Sequence, residues 1–133
     1  MSENLDLVRS IYADWERGDF KVTVWAAPDI EWVIADGPAP GRWTGRDNMA
    51  RIWRDWLDAW ADFRVEAERY RELDDERVLA LVRFRGRTKT SGMDIEEVYA
   101  TGAAIFHVRQ SRVTKFVINW ERDRALADLG LAE

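Results

Sequence analysis

Near Phe63 the spacing of the apolar residues changes from a helical period to a period of two. Before that point Leu5, Val8, Ile11, Tyr12 and Trp15 form one stripe, and Met49, Ile52, Trp53, Trp56, Leu57 and Trp60 form another. Beyond it, alternating segments run near 63–73, 77–90, 95–109 and 112–122, separated by Asp74-Asp75, Ser91-Gly92 and Gln110-Ser111. Helices that must bury one face, followed by long strands that must bury one side, call for a sheet packed on helices. The fold class is therefore α+β.

Several boundaries can be read locally. Gly18-Asp19 stops the first helix, and Phe20 to Trp25 reads as a second, short one. Pro28-Asp29 precedes a strand at Ile30–Ile34, and 36–41 is a loop dense in turn residues. Thr44 is expected to cap the long helix, with Asp47 in its first turn. Arg124 to Gly130 reads as a short closing helix. No repeat, low-complexity stretch or linker divides the chain, so residues 1–133 form a single domain of a size that buries roughly two thirds of its unfolded surface.

The chain carries eight tryptophans among its 133 residues. That is more than an ordinary core of this size needs, and each brings one N–H donor that wants a partner when buried. Two explanations stand side by side: a plain aromatic core, or an aromatic wall around a cavity for an apolar or carbonyl-bearing molecule. On the second, the ligand-contacting set is Tyr12, Trp15, Trp32, Trp53, Trp56, Trp60, Tyr99 and Trp120.

Hairpin arithmetic assigns the strand faces. A two-residue turn at Gln110-Ser111 puts Thr101 opposite Trp120, Ala103 opposite Ile118 and Ile105 opposite Phe116. A turn at Gly92-Met93 puts Phe84 opposite Thr101 and Val82 opposite Ala103. The inward face then holds Val78, Ala80, Val82, Phe84, Tyr99, Thr101, Ala103, Ile105, His107, Phe116, Ile118 and Trp120. The outer face holds Arg83, Arg85, Arg87, Lys115, Asn119 and Glu121, with Glu96 and Glu121 as partners for the arginines. Val98, Phe106, Val108 and Val117 fall among these charges, and an apolar patch there is expected to make a homodimer through the sheet.

Other chemistry is sparse. With one histidine, no cysteine and scattered acids, neither a metal site nor a disulfide framework is expected. No glycine-rich phosphate loop follows a strand, so no cofactor is expected. A net charge of −5 argues against nucleic-acid binding and against a polybasic membrane anchor. No transmembrane run or signal-peptide core is seen, and a cytoplasmic location is expected. His107 titrates near neutrality, and Asp36 lies in a loop at the expected pocket mouth; these are the candidate proton-transfer groups. Against this, His107 also fits a hairpin-end surface position, and Asp36 an Asx turn.

Trp15-Glu16-Arg17-Gly18-Asp19, Glu31-Trp32, Gly41-Arg42-Trp43-Thr44-Gly45-Arg46-Asp47 and the closing Glu121-Arg122-Asp123-Arg124-Ala125-Leu126, in that order around four long strands, resemble the nuclear transport factor 2-like superfamily in its SnoaL-like, polyketide-cyclase-like branch. The resemblance implies a cone: a curved antiparallel or mixed sheet wrapped around three N-terminal helices, with an internal pocket and usually a homodimer. It implies a small-molecule domain, either an enzyme performing cofactor-free acid–base chemistry of isomerase, cyclase or dehydratase type on an apolar carbonyl compound, or a non-catalytic binding or scaffold domain. Residue by residue, catalytic sites of the superfamily do not transfer. Tyr12 and Asp36 are out of register with the tyrosine and aspartate of ketosteroid isomerases. Arg83 and Arg85 read as surface rather than as part of the Asp–Arg–Asp set of limonene-epoxide-hydrolase-like members.

Overall fold

The computed structural model describes residues 3–19, 24–36, 40–58, 60–88 and 97–131, with the side chains at 56, 60–62, 88 and 97–99 outside that description. Its elements are α1 (Glu3–Glu16), β1 (Ala26–Ile34), β2 (Gly41–Thr44), α2 (Arg46–Asp58), β3 (Trp60–Glu72), β4 (Arg77–Thr88), β5 (Glu97–Arg109), β6 (Arg112–Asn119) and α3 (Arg122–Asp128). None of the described helices is long and apolar enough to cross a membrane.

α1 starts with Glu3 and Asp6, which oppose the positive end of the helix dipole. It buries Val8, Ile11, Tyr12 and Trp15, spaced to make one stripe. Its end closes by N–H groups of Gly18 and Asp19 donating back to Trp15 and Asp14. α2 starts one residue later than the sequence implies. Thr44 is the last residue of β2, and the chain turns into the helix through Gly45 at φ 101°, a conformation that disfavours side-chain-bearing residues. Gly45 N–H donates to Ile30, and Gly45 C=O accepts from Met49.

The strands form one six-stranded sheet in the order β2-β1-β6-β5-β4-β3. β1 and β6 run parallel and every other neighbouring pair is antiparallel, so the sheet is mixed. α1 lies against β3 and β4, and α2 against β1, β2 and β3. α3 covers the opposite face at β5, where Ala125 and Leu126 bury Leu79, Leu81 and Ala103. α3 is the short closing helix expected near Arg124 to Gly130, and it lies on the sheet face opposite α1 and α2. The short helix expected at 20–25 falls largely on 20–23, outside the described residues.

Three expectations are corrected. Trp60 opens β3, paired with Thr88, and does not continue the helical stripe, because α2 ends at Asp58. The loop expected at 36–41 ends early, since Gly41–Thr44 pairs with β1 as a strand. The third correction concerns β5, whose faces are exchanged. The Gln110-Ser111 turn is present, with φ of 52° and 63° as in a type I′ hairpin. Beyond its first two pairs the register shifts between His107 and Val108, leaving Thr114 as the extra residue of a bulge. Phe106 then faces Phe116, Ala104 faces Ile118, Val82 faces Gly102 and Phe84 faces Ala100. Ala104, Phe106 and Val108 are in the core. Thr101, Ala103, Ile105 and His107 belong to the other side, and Phe106 and Val108 are unavailable as dimer contacts. Gly102 permits this packing, since a Cβ there would lie 2.4 Å from Asn119 O and 2.5 Å from Phe84 Cε2.

Candidate ligand-binding cavity

A small cavity of about 10 Å³, room for one water molecule, lies between α1, α2 and the β1–β6 half of the sheet. Trp15, Trp25, Trp32, Met49, Trp53 and Phe116 line it. Each wall residue has a local reason for its place. Trp15 ends the buried stripe of α1. Trp25 immediately precedes β1, where its C=O accepts from Val113 N–H at 2.8 Å. Trp32 is held in the sheet between Trp43 of β2 and Phe116 of β6. Met49 and Trp53, four residues apart, share one face of α2. Two of the ring pairs meet at steep angles, Trp15–Trp25 at 5.9 Å and 75° and Trp32–Trp53 at 5.7 Å and 79°, while Trp15 is tilted against Trp53 and Phe116. The steep arrangements set positive ring edges against negative faces.

Of the residues named from sequence, Trp15, Trp32 and Trp53 come together here. Trp25, Met49 and Phe116 were missed as site residues. The spacing of Met49 to Trp53 and the inward position of Phe116 on its strand were visible signals for two of them. Tyr12 is adjacent but not on the wall. It is 1% exposed, with its ring 5.0 Å from Trp15, 5.6 Å from Phe106 and 6.2 Å from Tyr70. Burial, with smaller contributions from Tyr70 and Glu16, raises the Tyr12 hydroxyl well above its ordinary value and keeps it neutral. Trp120 packs on Phe84 at 4.6 Å, beside a wide groove of about 410 Å³ at the junction of β6 and α3. That groove is larger but open and polar, with Glu121, Arg122, Asp123 and Arg124 on its walls. The side chains of Trp56, Trp60 and Tyr99 lie outside the described residues.

The two candidate proton-transfer residues are elsewhere. The Asp36 carboxylate accepts hydrogen bonds from the backbone N–H groups of Trp120 and Glu121, the latter at 3.4 Å. Next to it Ala35 N–H donates to Ile118 O at 2.9 Å. Asp36 thus clasps the end of β1 to the end of β6. His107 lies in register between Arg77 of β4 and Lys115 of β6, on the sheet face away from Phe106. Burial first, then the Lys115 and Arg77 charges, lower its pKa below 6.5, against weaker opposition from Asp74 and Glu76. The unfolded chain therefore binds more protons than the folded one between the two pKa values, and His107 subtracts stability as the pH falls through that window. His107→Gln is expected to flatten this part of the stability–pH curve, read from urea midpoints between pH 5 and pH 8.

A charged cluster sits on the outer face. The shift between Ala67 and Arg69 leaves Glu68 as the extra residue of a bulge on β3. Its carboxylate meets Arg122 at 2.6 Å and Arg83 at 2.7 Å. Hydrogen bonds from these two, Arg122 foremost, lower the Glu68 pKa. The apolar positions Phe63, Val65 and Ala67 step by two and the next, Tyr70, by three, so the change of phase across Glu68 is visible in the sequence. Glu68 is the partner the structure gives Arg83, and Glu96 lies outside the described residues.

A family model described as a SnoaL-like domain matches residues 8–116. No curated protein matches the chain. Solved structures do. An NTF2-like protein of unknown function from Burkholderia pseudomallei aligns with a TM-score of 0.77 at 21% identity, over 96% of this chain and 97% of that one. TerC, co-crystallised with polyporic acid, aligns with a TM-score of 0.74 at 17% identity, over 96% and 98%. An LEH-like epoxide hydrolase from M. tuberculosis aligns with a TM-score of 0.69 at 18% identity, over 90% and 83%. At these identities the likeness is one of fold, and the fold is the NTF2-like one.

Proposed function

This chain belongs to the SnoaL-like family, and within it we propose a domain that binds a small, neutral, apolar molecule among its tryptophans and performs no proton chemistry on it. The observation that carries this reading is the composition of the wall: the described lining consists of four tryptophans, a methionine and a phenylalanine. Acid–base catalysis needs a titrating group about 3 Å from the reacting atom or one water away. Asp36 is engaged by two backbone N–H groups, and His107 is on the other side of the sheet. The same wall disfavours charged ligands, since a buried ion without a counter-charge is costly. The cavity as it stands, at about 10 Å³, is too small for the proposed ligand, so binding requires the half-buried Trp53 to move.

The homodimer remains part of the proposal, with Val117 kept from the expected patch and two new neighbours. Val33, Val117 and Ile105 fall in one row across β1, β6 and β5, each half-buried on the outer face.

Tryptophan fluorescence provides the test. Titration with 1-indanone, indane and naphthalene is expected to give a saturable one-to-one change, and benzoate none. Asp36→Asn and His107→Gln are expected to keep the affinity within about twofold. Benzoate binding as tightly as the neutral probes, or affinity lost in either variant while it still melts cooperatively, would count against this reading.

A further inference from the structure

We propose that Trp32 is the polar anchor of the cavity: its indole N–H donates to an acceptor oxygen that carries no hydrogen, so the site selects a neutral ketone or similar carbonyl compound. This rests on the binding function proposed above and specifies its ligand.

Trp32 is 2% exposed and lines the cavity. Its Nε1 is buried with no hydrogen-bond partner among the described residues. Native proteins seldom leave a buried donor unanswered, and those that do commonly keep it for a ligand, an ion or a water. The ring is also well fixed. Its backbone is paired on both sides within the sheet, and Trp43 of the neighbouring strand packs on it at 5.3 Å. A donor held this way has little freedom to turn toward another acceptor.

The chemistry of the wall narrows the acceptor. Indole is a donor only and a thioether is a weak acceptor, so the lining side chains offer no oxygen to receive a proton. Water accepting from Trp32 would leave its own two O–H groups to be satisfied, and a buried water wants two to four partners. An alcohol has the same difficulty with one O–H. A carboxylate brings a charge that no cation on the wall balances. A carbonyl oxygen on an otherwise apolar frame satisfies Trp32 and leaves nothing further unmet. The hydrogen bond discriminates between ligands, since one lacking the oxygen leaves the donor buried and orphaned.

The test compares 1-indanone, 1-indanol and indane, near-equal in shape. On wild-type protein the ketone is expected to bind about tenfold more tightly than either of the others. Trp32→Phe keeps an aromatic ring and removes the N–H. It is expected to erase the ketone's advantage while indane keeps its affinity. The infrared carbonyl band of 1-indanone bound to wild type is expected below its position in hexane. That reading needs no variant, so it decides the matter should Trp32→Phe fail to fold. Equal binding of all three compounds, an alcohol bound tightest, or a carbonyl band unmoved from hexane would each overturn the Trp32 anchor and leave the binding function standing. Binding of none of them would instead count against the binding function itself.

Discussion

Phe106→Ala is expected to lower the free energy of unfolding by about 3–5 kcal/mol, the range for a buried aromatic truncated in a packed core. Phe106 is 0% exposed, stacked on Phe116 at 4.5 Å and 29° and set edge-on to Tyr12 at 5.6 Å. Phe116 is itself part of the cavity wall, so a void behind it loosens the site as well as the core. Ile105→Ala, one position away on the half-buried outer face, is expected to cost about 1 kcal/mol. Urea denaturation of both variants measures the order. A larger loss at Ile105 than at Phe106 would mean that β5 presents its odd-numbered residues to the core, as the simple hairpin register has it.

Arg122→Leu is expected to cost about 2–4 kcal/mol, because several hydrogen bonds of one well-covered cation are lost together. The Arg122 side chain is 11% exposed. It donates to Gly102 O at 3.2 Å, to Val82 O at 2.8 Å and to Glu68 at 2.6 Å, so it fastens α3 to three strands. Leucine keeps most of the apolar stem and removes these bonds. The penalty should depend on pH. The folded-state pKa of Glu68 is lowered from 4.5, chiefly by Arg122. The stability this contributes is complete above the unfolded value and disappears as the pH falls through the folded one. The gap between wild type and Arg122→Leu should therefore be widest near neutrality and narrow in acid. A gap independent of pH between 3 and 7 would remove Glu68 from the explanation.

The two exchanged faces of β5 show what sequence periodicity can and cannot carry. On β6 the expected inward residues Phe116 and Ile118 are inward, because they alternate with Lys115 and Val117, which stay half-buried on the other face. On β4 and β5 the run Val78-Leu79-Ala80-Leu81-Val82 and the run Ala103-Ala104-Ile105-Phe106 are apolar on both sides, because α3 covers the outer face there. A strand buried on both faces has no alternation to read, and a single bulge residue, Thr114, then decides the register. The bulge at Glu68 is a different case: β3 has one charged face, and its alternation slips by one residue between Ala67 and Tyr70.

The aromatic site was partly legible. Trp15 and Trp53 follow from helical spacing, and Trp32 from its strand. The cavity's other walls depend on how a parallel β1–β6 pair brings Trp25 and Phe116 to the end of α1, a long-range pairing that leaves no local mark in the chain. The acid–base candidates depend on placement, which residue type alone does not reveal. Asp36 and His107 have suitable chemistry as residue types, but two backbone N–H groups engage the first and one step of register turns the second away.

The site itself is most directly examined through the indole N–H signals of protein labelled with 15N-tryptophan, recorded with and without saturating 1-indanone. The signals of Trp15, Trp25, Trp32 and Trp53 are expected to move together, with Trp32 shifting the most and Trp120 remaining in place. A saturable shift confined to Trp120, with the four wall signals unmoved, would put the ligand in the open groove beside α3 and contradict a binding cavity built of tryptophan.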